Sequence, residues 1–240
     1  MQAQECFIVS ERGKVLKSQG RCDKAYPPNS TFKIPLGLMG FDAKILSTAS
    51  SPTWPFKSGY LAGPNVCRSA HTPKEWMRDS CVWFSQVLTT KLGIEKFKSY
   101  VERFSYGNMD ISGDSGMTNG LTNSWLSSSL LITPHQQLDF LQRMLDGKLT
   151  VSTAALKHTK DILFLQELAG GWGLYGKTGN GRGANSLQQG WFVGWIEKDA
   201  RRLIFAQHIA DEKPQDTHAS FRARNEVLTK LWYLIDELAK

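Results

Sequence analysis

Two apolar rhythms alternate along the chain with stretches that have neither. Cys6–Ser10 and Lys14–Lys17, on either side of Arg12-Gly13, show the alternation of paired strands and predict a β-hairpin. From Phe32 the apolar positions Ile34, Leu36, Leu38, Met39 and Phe41 form a run long enough for a buried helix. Pro27-Pro28-Asn29 ahead of it are turn and start signals. Positions 43–79 are rich in Ser, Pro, Gly and Trp without a period, and read as loops with short helices. Val82–Lys91 and Ile94–Phe104 have helical spacing, with Gly93 as the stop between them. Pro134–Leu145 stacks Leu138, Leu141, Met144 and Leu145 on one face, and a further helix covers Ser152–Lys160. The polar segment from Tyr106 to Asn123 reads as a loop.

Near residue 170 the period changes to two. Trp172–Thr178, Gly190–Glu197 and Arg202–Ile209 read as successive strands. Ala219–Leu238 then returns to helical spacing through Phe221, Val227, Leu228, Leu231, Trp232, Ile235 and Leu238. Strands at both ends with helices between them predict an α+β fold layered α/β/α. Its antiparallel sheet is built from both chain ends, flanked by terminal helices, with an all-helical lobe inserted. The expectation is a single domain over 1–240, with the sheet lobe at about 1–28 and 165–240 and the helical lobe at about 29–164. No repeat recurs at a period of 20–50 residues.

Composition narrows the function classes. The formal charge of +7 is spread, with only Arg201-Arg202 and Arg222/Arg224 locally dense. That pattern favours anionic small molecules over nucleic acid. No window approaches the roughly 20 apolar residues of a membrane span. Met1-Gln2-Ala3-Gln4-Glu5 has neither a basic nor an apolar leader region, so the chain is read as cytosolic or as lacking its signal peptide. Cys6, Cys22, Cys67 and Cys81 contain no C-x-x-C pair and suggest no metal. Cys6 and Cys22 flank the hairpin, which leaves a bridge between them open.

Two motifs mislead. Gly171–Thr178 matches the phosphate-loop pattern G-x-x-x-x-G-K-[ST], which would make the chain an NTPase. That chemistry needs a helix opening at the lysine, and Gly179-Asn180-Gly181-Arg182-Gly183 opposes one. Gly179–Ala184 fits G-x-G-x-x-A, but Asn185–Gln189 is too short for the crossover helix of a dinucleotide fold.

Ser30-Thr31-Phe32-Lys33 puts a hydroxyl and an amine one helical turn apart. Alone it is a capping serine followed by a surface lysine. Three later stations change that: Ser80-Cys81-Val82 at the start of a helix, Tyr106-Gly107-Asn108 at the start of the long loop, and Lys177-Thr178-Gly179 at the end of a strand. A single Ser-x-x-K, a serine triplet and Lys-Thr-Gly in that order are the signature of penicillin-recognising acyl-serine enzymes. With Trp125-Leu126 and Trp191-Phe192-Val193-Gly194, the chain resembles the class D, OXA-type β-lactamases over most of its length. Class A relatives carry Ser-Asp-Asn and a loop glutamate. Here residues 104–166 contain no Glu, so the base comes from elsewhere.

The resemblance implies a β-lactamase/transpeptidase-like fold and hydrolysis of β-lactams through an acyl group on Ser30. It implies that Lys33, kept neutral by burial beside Phe32, Val82, Trp125 and Leu126, takes up CO2 as a carbamate and serves as general base, with no other cofactor and no metal. Trp125 would hold the carbamate, and Val82 and Leu126 would screen it. Ser80 would pass the proton to the lactam nitrogen, and Lys177 would supply positive potential. Thr178 and Arg222 would hold the substrate carboxylate, with Arg224 the competing arginine. The backbone N–H groups of Ser30 and Asn180, next to Gly179, would receive the oxyanion. Tyr106 and Asn108 read as shaping the loop. The implied partners are small β-lactams acting on a monomer or homodimer, in the periplasm or outside a bacterium. A receptor domain that is acylated without turnover and a peptidoglycan transpeptidase are the competing functions.

Overall fold

The computed structural model describes residues 4–183 and 186–238. Strands β1 (Gln4–Glu11) and β2 (Lys14–Gly20) form the expected hairpin, with Arg12 and Gly13 both at positive φ. Such turns match the twist of the strands they join. A 3-10 turn over Asn29–Phe32 runs into α1 (Lys33–Asp42), which is buried from Lys33 to Phe41. The helix therefore starts later than Ser30, and the serine sits on the tighter turn before it.

A short 3-10 segment (Asn65–Arg68) and α2 (Pro73–Asp79) interrupt the irregular stretch. Thr72 and Glu75 close a reciprocal capping box on α2. There follow α3 (Val82–Leu92), α4 (Ile94–Arg103), a single turn α5 (Gly120–Asn123), α6 (Pro134–Leu145) and α7 (Thr153–Leu163). The sheet resumes with β3 (Phe164–Leu168), β4 (Trp172–Arg182), β5 (Gln188–Lys198) and β6 (Arg201–Ala210), and α8 (Ala219–Leu238) ends the described chain.

The six strands lie in the order β2-β1-β6-β5-β4-β3, with every neighbouring pair antiparallel. The chain's first strand thus pairs with its last. Side chains alternate between two cores: Trp191, Val193, Trp195 and Ile204 join the helical-lobe core, while Phe192, Ile196, Leu203 and Phe205 pack with α8 through Ala223, Val227 and Leu231. β3 is an addition to the expected strands. Its first four residues are exposed, so it carries no apolar alternation that a sequence could reveal.

Cys6 and Cys22 are bridged, and a second bridge joins Cys67 to Cys81. No helix among the described residues is long and apolar enough to cross a membrane. The phosphate-loop reading fails as expected, because Trp172–Arg182 is continuous strand. Ala184 and Asn185 of the second glycine motif lie outside the described residues.

Candidate active site

Ser30 sits half-buried on the 3-10 turn, and Lys33 Nζ donates to its Oγ at 3.2 Å. Lys33 is 0% exposed, and no carboxylate among the described residues lies within ion-pair distance of it. Burial first, and then the nearby charge of Lys177, hold its pKa well below the usual lysine range. An unpaired buried ammonium is costly, which favours the neutral amine, the form that can act as a base.

Lys177 comes from β4. It is 4% exposed, donates from Nζ to Thr178 O at 3.0 Å, and lies 3.5 Å from Thr178 Oγ1. Burial pushes it down to about 7. The strand does not end at Gly179, as the glycines suggested, but runs on to Arg182. Those glycines are places of close approach. A Cβ on Gly179 would sit 2.7 Å from Pro28 O, and one on Gly181 would sit 2.5 Å from Asn29 Nδ2 and from Ser127 Oγ. β3 pairs with β4 only as far as Tyr175, so the rest of that edge is left to the serine turn.

Trp125 stacks on Phe32 at 5.4 Å between ring centroids. It is fully buried, and its Nε1–H has no hydrogen-bond partner among the described residues. Val82 opens α3 and Leu126 follows Trp125, both half-buried. Ser80, also half-buried, caps the C-terminus of α2 in the left-handed region at φ 64°. Tyr106 is buried against Phe32 and Phe140, and burial keeps its phenol protonated far above neutral pH. Exposed Asn108 ties its loop down through Ser129 O and Leu131 N.

A family model for the penicillin binding protein transpeptidase domain matches residues 7–232. The β-lactamase OXA-9 of Klebsiella pneumoniae is 42% identical over 237 residues, spanning 95% of this chain and 86% of that protein. The crystal structure of the OXA-427 class D β-lactamase superposes with a TM-score of 0.92 at 42% identity, covering 98% of this chain and 99% of that one. The chain belongs to the class D β-lactamases. The β-lactamase OXA-1 of Escherichia coli is a further relative, 39% identical over 232 residues, or 94% of this chain and 83% of that protein.

As a class D β-lactamase the protein has a serine nucleophile and hydrolyses β-lactams, and its fold has the layered arrangement expected from both chain ends. Several residues that build its site escaped the sequence reading. Asn29, at φ 49°, donates from its backbone to Trp125 O at 2.9 Å. Its Oδ1 accepts from Ser127 N and Oγ at 3.1 Å each. It thereby fastens the Trp125 loop to the serine turn. Gln137, buried in α6, donates to Thr31 Oγ1 at 3.1 Å and accepts from Tyr106 OH at 3.5 Å, bracing the turn from the other side. The asparagine after two prolines was the only available signal for the first of these.

Thr178 is half-buried beside Lys177, and Asn180 Oδ1 accepts from Ser220 N at 3.3 Å, turning that side chain towards α8. Arg222 has a carboxylate of its own. Its Nη2 donates to both oxygens of Asp211 at 2.8 and 2.6 Å, and its Nε donates to Thr217 O. Arg224, two residues on, has a buried Nε without a partner.

Proposed function

We propose that this class D β-lactamase uses Lys33, loaded with CO2 as a carbamate, as the base for both acylation and deacylation of Ser30. The observation that carries the reading is the fully buried Lys33 amine 3.2 Å from Ser30 Oγ, its pKa held well below the usual lysine range by burial, with no carboxylate beside it among the described residues. The surroundings fit the group. A neutral amine is the form that adds CO2, and the orphaned Nε1–H of Trp125 is a donor seeking an anionic acceptor in the aromatic cluster that begins one residue before Lys33. Bound there, CO2 supplies an anionic oxygen base beside the serine hydroxyl.

Ser30 loses its proton on the Lys33 side and attacks the lactam carbonyl, and the carbonyl–nitrogen bond breaks. Ser80 hands a proton to the leaving nitrogen. Water then attacks the Ser30 ester, giving up its proton on the Lys33 side, and the serine leaves. Backbone N–H groups at Ser30 and Asn180 face the developing oxyanion. Lys177 and Thr178 meet the substrate carboxylate, whose charge favours the protonated lysine. Arg222 contributes through the guanidinium nitrogen that Asp211 and Thr217 leave over.

The pair of disulfides supports export to an oxidising compartment. Turnover of oxacillin and a chromogenic cephalosporin tests the reading. Sustained release of product is expected. One stoichiometric burst would indicate a receptor domain or transpeptidase instead.

A further inference from the structure

His71 and the Cys67–Cys81 bridge take no part in the chemistry above, yet both converge on Ser80. Ser80 has φ 64° and ψ 31°, and its N–H donates to Trp76 O at 2.9 Å. A residue with a Cβ is disfavoured there and persists only where its surroundings over-determine it. The surroundings here are the two flanking residues.

On one side Asp79 accepts from Arg78 Nε and Nη2 at 2.8 Å each, and its other contact is His71 Nε2 at 3.2 Å. On the other side, fully buried Cys81 precedes α3 and is bonded to Cys67. Cys67 Sγ lies 3.7 Å from Asp79 O, and Cys81 Sγ lies 3.3 Å from His71 Nε2. His71 is 2% exposed. Its Nδ1 is 2.9 Å from Ser69 O, and its backbone pairs in both directions with Trp54 at 2.9 Å. A single segment, from Cys67 to His71, therefore grips both neighbours of Ser80, one covalently and one through a carboxylate.

The two sulfurs and the imidazole lie within 4.8 Å of one another, a donor set that would suit zinc as thiolates. The S–S bond leaves no thiolate for a metal, so the group is a cross-link.

We propose that His71 and the Cys67–Cys81 bridge are positioning residues that hold Ser80 left-handed, so that its hydroxyl stays aimed at the leaving nitrogen. The proposal rests on the assignment of Ser80 as proton carrier. Neither His71 nor the bridge touches substrate, so their effect must pass through Ser80. Proton delivery to the leaving nitrogen belongs to acylation, so the effect falls on kcat/KM and on the single-turnover acylation rate, whichever half-reaction limits kcat.

The test is a cycle of His71→Phe, His71→Gln, Ser80→Ala and the His71→Phe/Ser80→Ala double variant in the full chain. It is read as kcat/KM and as the single-turnover acylation rate on a penicillin, with thermal melting as control. His71→Phe is expected to lower both by about tenfold or more. His71→Gln, which can still donate to Asp79, should recover most of the loss. In the Ser80→Ala background the phenylalanine should cost nothing further. The Cys67→Ser/Cys81→Ser pair should behave in the same way, and it serves where His71→Phe folds poorly. An equal loss in both Ser80 backgrounds would overturn the clamp while leaving Ser80 its role. If Ser80→Ala alone leaves kcat/KM and the acylation rate intact, the assignment of Ser80 falls and takes the clamp with it.

Discussion

Lys33 Nζ lies 3.2 Å from Ser30 Oγ and is fully buried, with no carboxylate among the described residues within ion-pair distance of it. On the proposed reading that pairing sets a base against a nucleophile without any glutamate. It also makes the base sensitive to acid. Below its depressed pKa the amine is protonated and can neither accept the serine proton nor hold CO2. Turnover should therefore fall as the pH drops below that depressed value, and added bicarbonate should restore part of it. A pH–rate profile at two bicarbonate concentrations checks this, and superimposable profiles would contradict it.

Trp125→Phe keeps an aromatic ring near Phe32 while removing the orphaned Nε1–H together with part of the indole's buried volume. If that donor serves an anion on Lys33, its loss costs one charge-assisted hydrogen bond, about 1.5–3 kcal/mol. Activity should drop roughly ten- to a hundredfold at ambient CO2 and recover at high bicarbonate, a recovery that lost packing alone would not show. A Trp125→Phe enzyme with wild-type turnover and no bicarbonate response would remove Trp125 from the site.

Lys177 shows the same burial in the stability of the whole protein. Its folded value of about 7 lies below the unfolded 10.5, so between those values the unfolded chain binds more protons. Stability from this residue rises with pH across that window and is flat below it, where both states are protonated. Denaturant titrations from pH 7 to 10 should show a steeper rise for the wild type than for Lys177→Met. Parallel slopes would mean that Lys177 is solvated in the fold.

Arg222→Ala leaves Asp211, whose side chain is 2% exposed, without its cation. Stability should fall by about 2–3 kcal/mol. A rise in KM for a penicillin beyond that loss would indicate that Arg222 also reaches the substrate carboxylate. An unchanged melting temperature would mean that Asp211 finds another partner.

Sequence pattern revealed what local rules govern. The alternation of Trp191 and Phe192 between two cores, and the 3.6 period of α8, are visible one residue at a time. Ser30 and Lys33 share a face because one helical turn separates them. What stayed hidden depends on contacts distant in sequence. Gly179 and Gly181 look like strand breakers, yet they let β4 lie against Pro28 and Asn29, which no local rule foresees. β3 faces water and carries no pattern. His71 reads as an isolated histidine until α2 brings Asp79 to it, and Arg222 reads as a free cation until β6 ends beside Asp211.

The most direct test of Lys33 as the base in both half-reactions is the intact mass of Lys33→Ala after mixing with oxacillin. Without that base both steps slow: the adduct of one oxacillin on Ser30 should form far more slowly than in wild type and, once formed, persist for hours while wild type returns to its free mass. Turnover by Lys33→Ala at the wild-type rate, with no adduct, would contradict the account.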